Sequence, residues 1–111
     1  MTGEFEGKDL AEKYEVGALV RRGEVSDIYR GRHMFMDRPV TLNIVPRALA
    51  VHDHIVRRFF DEAKTASRIN HPNVLNLIDF GSAHDGIVYS VYEGENGGTL
   101  QEVIRNSGGL D

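Results

Sequence analysis

Residues 53–74 read D-H-I-V-R-R-F-F-D-E-A-K-T-A-S-R-I-N-H-P-N-V, and this stretch decides the fold. Its apolar residues recur at spacings of three and four, which is the pattern of a helix that buries one face. The residues of this stripe are Ile55, Phe59, Ala63 and Ala66. Pro72 lacks a backbone N–H and disfavours helical geometry in the residue before it, so it stops the helix. The stretch therefore predicts an amphipathic helix from Asp53 to Ile69.

Glu62 places a carboxylate beside the apolar stripe, in the middle of the predicted helix. Arg58 lies four residues earlier, so the two side chains can pair on a solvated face, a contact worth about 0.3 kcal/mol. Alternatively, Glu62 serves a site in whatever the helix packs against. The spacing alone leaves both interpretations open.

Five segments around the helix carry strand patterns, three before it and two after it. They are residues 14–20, 27–32, 38–46, 74–80 and 86–92. The third alternates most regularly, with Val40, Leu42 and Ile44 on one face. Thr99 and Glu102 form a capping box for a short C-terminal helix. This order predicts an α+β fold with a five-stranded antiparallel sheet, one long helix and a short C-terminal helix.

The chain of 111 residues suits one domain. Residues 1–9 are polar and are expected to form a flexible tail. Residues 10–93 carry the strands and the long helix. Residues 94–111 begin with a glycine-rich connector and are expected to form a hinge-like linker with a helical stub.

The composition excludes several classes of function. The formal net charge of -4 offers no broad basic surface, so neither nucleic acid nor anionic lipid is an expected partner. The absence of cysteine rules out disulfides, thiolate metal sites and thiol nucleophiles. No apolar run approaches the 18 or more residues of a membrane-spanning helix, and the N-terminus lacks a signal peptide's apolar stretch. A cytoplasmic location is expected, with no membrane contact within this chain.

Three motifs, in this order and spacing, resemble the N-terminal lobe (N-lobe) of eukaryotic-type Ser/Thr protein kinases, most closely the bacterial ones. They are R-F-F-D-E-A at 58–63, N-H-P-N-V at 70–74 and G-G-T-L at 97–100. The resemblance extends from about residue 10 to residue 111. It implies that the sheet is a kinase N-lobe and that the helix 53–69 corresponds to its αC helix.

The resemblance also implies a nucleotide cleft, although a degenerate one. The residues that match its adenine-facing part are Val20 and Ile28 in the roof, Thr41 against the base, Tyr92 at the gatekeeper position, and Glu93, Gly94 and Glu95 in the hinge. No metal site is expected. His52 and His54 flank Asp53 at the start of the helix, where alternating side chains diverge rather than converge on one ion.

The phosphate-binding part departs from the kinase pattern at two places. The glycine-rich loop, whose backbone approaches the phosphates, matches Arg21, Gly23, Ser26 and Ile28, so only the middle glycine remains. At the position of the strand lysine that pairs with the helix glutamate stands Asn43. Glu62 is therefore expected to be exposed, bonded to Asn43, or turned toward Arg58.

These departures favour a pseudokinase module that regulates or binds a protein partner without transferring phosphate. In kinases the catalytic-loop aspartate and asparagine and the metal-binding aspartate belong to the second lobe, which this N-lobe sequence does not include, so no activity and no catalytic residue are expected. One alternative is an ATP-binding lobe excised from an active kinase, with its phosphate-binding cation moved to Arg21 or Arg22. Another is nucleotide sensing without catalysis. No cofactor is expected beyond a weakly bound adenine nucleotide, and the expected partner is another protein or a second copy, through the helix and the exposed lobe surface.

Overall fold

The computed structural model of the chain describes residues 3–68, 76–83 and 85–95. Its strands are β1 (Asp9–Leu10), β2 (Tyr14–Arg22), β3 (Asp27–His33), β4 (Arg38–Ile44), β5 (Leu77–Ser82) and β6 (Val88–Glu93). Its helices are α1 (Arg47–Ala50) and α2 (Asp53–Ser67). The strands form one antiparallel sheet in the order β1-β2-β3-β4-β6-β5.

The two faces of the sheet carry different apolar clusters, because alternate side chains along a strand point to opposite faces. The larger cluster contains Leu10, Tyr14, Val16, Tyr29, Val40, Leu42, Ile44, Tyr89 and Val91. The smaller cluster consists of Val45 and Val88 from the sheet and Phe59 from α2. Leu49 and Ala50 of α1 pack against it. Helix α2 therefore lies on the face that carries Thr41 and Asn43.

The predicted helix begins at Asp53, as the sequence indicates, and it buries Phe59 and Ala63. The short helix α1 before it was not predicted. The third strand was predicted to reach Pro46 but ends at Ile44, and Pro46 takes the cap position of α1. Proline cannot donate to a strand ladder, yet it is well tolerated at the start of a helix, which explains the earlier end of the strand.

The N-terminal segment differs most from the sequence-based expectation of a flexible tail over 1–9. Phe5 is buried in the larger cluster, edge-on to Tyr29 at 6.1 Å between ring centroids. The Glu6 carboxylate accepts the N–H groups of Leu19 (2.8 Å) and Gly3 (3.1 Å), and these bonds lower its pKa. Residues 9 and 10 add β1, so the sheet has six strands rather than five. The Phe5 ring, the Glu6 hydrogen bonds and the β1 pairing together hold this polar segment on the sheet.

Several predicted features lie outside the described residues. They are the N-H-P-N-V motif at 70–74, the G-G-T-L motif at 97–100 and the helical stub within 94–111. Within the described ranges, no helix is long and apolar enough to cross a membrane.

Removing the Phe5 ring should destabilise the lobe if the N-terminal segment is part of the core. We expect Phe5→Ala to lower the free energy of unfolding by about 3–5 kcal/mol, the usual cost of deleting a buried aromatic ring. Urea denaturation followed by circular dichroism measures this change. The control is Val51→Ala, because Val51 is 76% exposed and its loss should cost less than about 0.5 kcal/mol. Equal stabilities of the two variants would show that residues 3–9 do not contribute to the core.

Candidate functional site

The strand residues predicted for the cleft lie together on the face that α2 covers. Ile28 is paired with Asn43 across β3 and β4, and Asn43 is paired with Ser90 across β4 and β6. In the next row Thr41 is paired with Tyr92. Directly paired residues project from the same face of a sheet. The sheet thus brings Ile28, Thr41, Asn43 and Tyr92 into one patch, and each of them is buried.

Three polar groups in this patch are buried without a partner among the described residues. They are Asn43 Oδ1, Ser90 Oγ and Tyr92 Oη. Burial raises the pKa of the Tyr92 hydroxyl, the neighbouring Ser90 side chain opposes the rise, and the negative charge of Glu62 adds to it. The Tyr92 and Ser90 hydroxyls are therefore close neighbours, although their geometry does not meet the criteria of a hydrogen bond. An unpaired polar group in a protein interior costs about 1–3 kcal/mol. Sequence reasoning did not identify Ser90 as part of this patch.

Glu62 does not engage Asn43 in the described contacts. Its Oε1 atom accepts a hydrogen bond from Arg58 Nε at 3.2 Å. The Glu62 side chain is 15% exposed, whereas that of Arg58 is 59% exposed, so the pair extends from the edge of the helix contact into solvent. Of the alternatives that the sequence left open for Glu62, the structure shows the pairing with Arg58. By the kinase resemblance, the Glu62 carboxylate would pair with a strand lysine. Here it is bonded instead to Arg58 of the same helix.

The hairpin between β2 and β3 is closed by its own side chains. The Gly23 N–H donates to Ser26 O at 3.0 Å and to Asp27 Oδ1 at 3.3 Å. Arg22 Nη1 donates to Asp27 Oδ2 at 3.4 Å. Asp27 is buried, and its burial raises the pKa of the carboxyl, while the Gly23 N–H and the Arg22 charge oppose the rise. Sequence reasoning missed Asp27, although an acidic residue just beyond a tight turn can bond back across that turn.

A β-bulge modifies the predicted roof over adenine. Leu19 pairs with Tyr29 and Arg21 with Ile28, so Val20 is an extra residue in β2. Both Val20 and Arg21 therefore oppose Ile28, as the two bulged residues do in such a kink. Val20 is 39% exposed, and Arg21 is exposed as well. In the predicted roof, Ile28 is therefore buried, whereas Val20 and the charged Arg21 are exposed.

Thr41 connects the sheet to the predicted hinge. Its Oγ1 donates to Gly94 O at 2.8 Å, while the Gly94 N–H donates to Pro39 O at 3.3 Å. The Glu93 N–H donates to Asn76 O at 2.9 Å. The side chains of Glu93 and Glu95 are exposed. The backbone groups of Glu93 and Gly94 are thus fixed by hydrogen bonds. One of these bonds comes from the hydroxyl of Thr41, the residue that the resemblance places against the base.

A groove of about 560 Å³ lies on the other side of the hinge. Its lining consists of His33, Met36, Arg38, Pro39, Val40, Ile78, Glu93 and Gly94. Of the residues predicted for the cleft, it contains Glu93 and Gly94. Val40 belongs to the larger core cluster, so the groove opens on the sheet face opposite to Thr41 and Asn43. This cavity is distinct from the predicted adenine site.

The unpartnered hydroxyl of Tyr92 gives a direct test of the buried patch. We expect Tyr92→Phe to raise the free energy of unfolding by about 1 kcal/mol, because it removes a buried polar group without a partner. The matched control is Tyr14→Phe, since Tyr14 Oη donates to Asp79 Oδ2 at 2.9 Å. Losing that charge-assisted bond should lower stability by about 1.5 kcal/mol. Chemical denaturation of both variants measures the two effects, and destabilisation by Tyr92→Phe would show that its hydroxyl is bonded.

Curated relatives of the chain are bacterial protein kinases. It is 38% identical over 103 residues to the serine/threonine-protein kinase pkn3 of Myxococcus xanthus, a match that covers 93% of the chain and 19% of the relative. It is 33% identical over 104 residues to PrkC of Bacillus subtilis, covering 94% of the chain and 16% of that protein. The chain thus spans less than a fifth of the length of these relatives. No protein-family model matches it.

A solved structure also resembles the fold. The kinase domain of PknI from Mycobacterium tuberculosis superposes with a TM-score of 0.57 and 26% sequence identity, over 79% of this chain and 35% of that chain. The chain is therefore homologous to bacterial Ser/Thr protein kinases over the N-lobe region. The predicted kinase N-lobe fold is confirmed, with one short strand more than predicted.

Proposed function

We propose that this kinase N-lobe acts as a pseudokinase module, which regulates or binds a protein partner and transfers no phosphate itself. The observation that carries the proposal is that the lysine–glutamate ion pair of kinases has no counterpart here. Asn43 is buried at the lysine position, and Glu62 is bonded to Arg58 instead. A cytoplasmic location is part of the proposal and rests on the cysteine-free sequence.

The side chain at position 43 supports the view that this lobe does not bind the phosphates of a nucleotide tightly. In kinases the strand lysine pairs with the helix glutamate and neutralises the α- and β-phosphates. Asn43 carries no charge, and its Oδ1 has no donor among the described residues. A phosphate placed nearby would find only neutral side chains at Asn43 and Tyr92, and it would face the negative charge of Glu62. Phosphate binding there would therefore be weak.

The alternative, an ATP-binding lobe of an active kinase with a relocated cation, has one observation in its favour. Arg21 lies at the β-bulge opposite Ile28, beside the predicted roof. Arg22, the other candidate, is already bonded to Asp27. Phosphotransfer by the longest natural protein that contains this segment, lost on Arg21→Met, would support the alternative. Inactivity of that protein would remove it.

The proposal predicts different responses to adenosine and to ATP. We expect adenosine to raise the melting temperature of the chain, and we expect ATP with magnesium to add nothing further. A ligand at about one hundred times its dissociation constant should contribute about 2.7 kcal/mol, which thermal denaturation detects easily. Asn43→Lys is the matched variant, because it returns a cation to the position opposite Glu62 and should create a response specific to ATP.

Each outcome of this titration bears on the proposal. No shift with either ligand in either protein would leave the interaction module in place and exclude nucleotide sensing. A magnesium-dependent gain from ATP in the unmodified chain would contradict the proposal and favour the alternative. An exposed substitution, Val51→Ala, controls for nonspecific stabilisation by the nucleotides.

The proposed partner surface lies around α2 and the edge strand β5. Phe80 is 44% exposed and contacts Phe60 of α2 at 5.7 Å between ring centroids. Apolar side chains that cluster on a surface commonly mark protein contacts. For a homodimer through this surface, sedimentation velocity at about 100 µM should show a dimer that Phe80→Asp dissociates. A monomer at that concentration would leave a different protein as the partner.

A further inference from the structure

We propose that the groove behind the hinge binds a small apolar carboxylate, such as a fatty acid, whose head contacts Arg38 and His33. The groove opens on the sheet face opposite to Thr41 and Asn43, so this site is separate from the predicted nucleotide cleft. Its volume of about 560 Å³ is typical of sites that hold small organic ligands. Binding there would add a ligand to the lobe whether or not the lobe acts as a pseudokinase.

The body of the ligand would contact aliphatic side chains. Val40 is buried at the base of the groove, whereas Met36 and Ile78, which also line it, are 61% and 48% exposed. Exposed apolar side chains beside a concave surface commonly mark a binding site. Methionine is flexible enough to follow the shape of an alkyl chain. Covering these side chains removes apolar surface from water, which favours binding.

Arg38 supplies a positive charge for the head of the ligand. It is paired directly with His33 across β3 and β4, so the two side chains project from the same face. Within the part of the chain that the structure describes, the Arg38 guanidinium has no ion pair and no hydrogen bond. A guanidinium binds a carboxylate through two parallel hydrogen bonds. Arg38 is therefore available to an anion that enters the groove.

The His33 ring is held in one orientation and offers a further donor. Its Nδ1 accepts the backbone N–H groups of Phe35 at 3.2 Å and Met36 at 3.1 Å. Edge-to-face contacts with Tyr14 and Phe35, at 5.2 and 6.1 Å between ring centroids, also hold the ring. Because Nδ1 is the acceptor, the ring hydrogen is on Nε2, which has no acceptor among the described residues. His33 and Arg38 thus place N–H donors together, as a carboxylate requires.

Glu93 determines which end of the groove takes the anion. It is paired with Val40, so it lies diagonally from Arg38 on the neighbouring strand, a relation that separates side chains by about 7–8 Å. No ion pair joins Arg38 and Glu93 within residues 3–68, 76–83 and 85–95. The charge of Glu93 repels an anion at its own end. The carboxylate is therefore directed to Arg38 and His33.

The test titrates the isotopically labelled chain with octanoate, octanol and octylamine and follows the backbone amide resonances by NMR. The three probes share an alkyl chain and differ in the charge of the head. We expect octanoate to bind about tenfold more tightly than octanol, the effect of one hydrogen bond to a charged group. Octylamine should bind more weakly than octanoate. Equal affinities of octanoate and octanol, or no binding of octanoate, would overturn the proposal.

Two arginine variants locate the head of the ligand. Arg38→Met keeps an apolar stem and removes the charge, so it should weaken octanoate about tenfold and leave octanol unchanged. The matched control is Arg30→Met, because Arg30 is exposed and its pairing with Thr41 places it on the other face of the sheet. This control should bind octanoate as the unmodified chain does. An equal loss in both variants would show a general charge effect and would contradict the site.

A second copy of the chain is the competing occupant of the groove. Met36→Asp places a charge among the apolar lining and should abolish the binding of octanoate and octanol alike. Sedimentation velocity of this variant and of the unmodified chain, both without ligand, then decides between the occupants. Self-association that Met36→Asp abolishes would make the groove an interface between copies and overturn the proposal. The same sedimentation profile for both proteins supports a small ligand, and dispersed amide resonances report that each variant is folded.

Discussion

The contact between α2 and the sheet is the constraint on which the rest of the site depends. Phe59 packs between Val45 and Val88, and this contact fixes where the helix lies on the sheet. Glu62, three residues after Phe59, is then placed at the margin of the buried contact, close enough to Tyr92 to influence its hydroxyl. Asn43 and Ser90, on the same face of the sheet, are buried as well.

Several buried polar atoms of this patch have no hydrogen-bond partner within residues 3–68, 76–83 and 85–95. A fold selected for stability alone would place apolar side chains at these positions. Proteins commonly retain such groups where a function requires them, which makes the patch the most informative region of the lobe. In the hairpin between β2 and β3, by contrast, the buried Asp27 carboxylate accepts hydrogen bonds from the Gly23 N–H and from Arg22.

Local patterns in the sequence were sufficient for much of the fold. The spacing of the apolar residues predicts α2, and the four-residue spacing makes the pairing of Glu62 with Arg58 one of the alternatives that the sequence offers. Both depend on helix geometry, which neighbouring residues determine. The alternation in β4 likewise predicts which side chains share the face under the helix, and it groups Thr41 with Asn43.

Features that depend on distant contacts could not be predicted in this way. The burial of Phe5 requires Tyr29 on another strand, and the β-bulge at Val20 becomes visible only in the pairing with β3. Asp27 was overlooked because its role depends on the closure of the turn, not on a spacing that repeats. Short elements such as β1 and α1 carry too few residues to show a period.

The central claim is that this lobe keeps the adenine end of a kinase cleft and has lost the phosphate end. Phosphorus and proton NMR of ATP with magnesium, titrated with the unmodified chain, reads both ends of the nucleotide in one experiment. The account predicts that the adenine proton resonances shift while the three phosphorus resonances keep the positions of free ATP with magnesium. A shift of the β-phosphorus resonance on addition of the chain would contradict it.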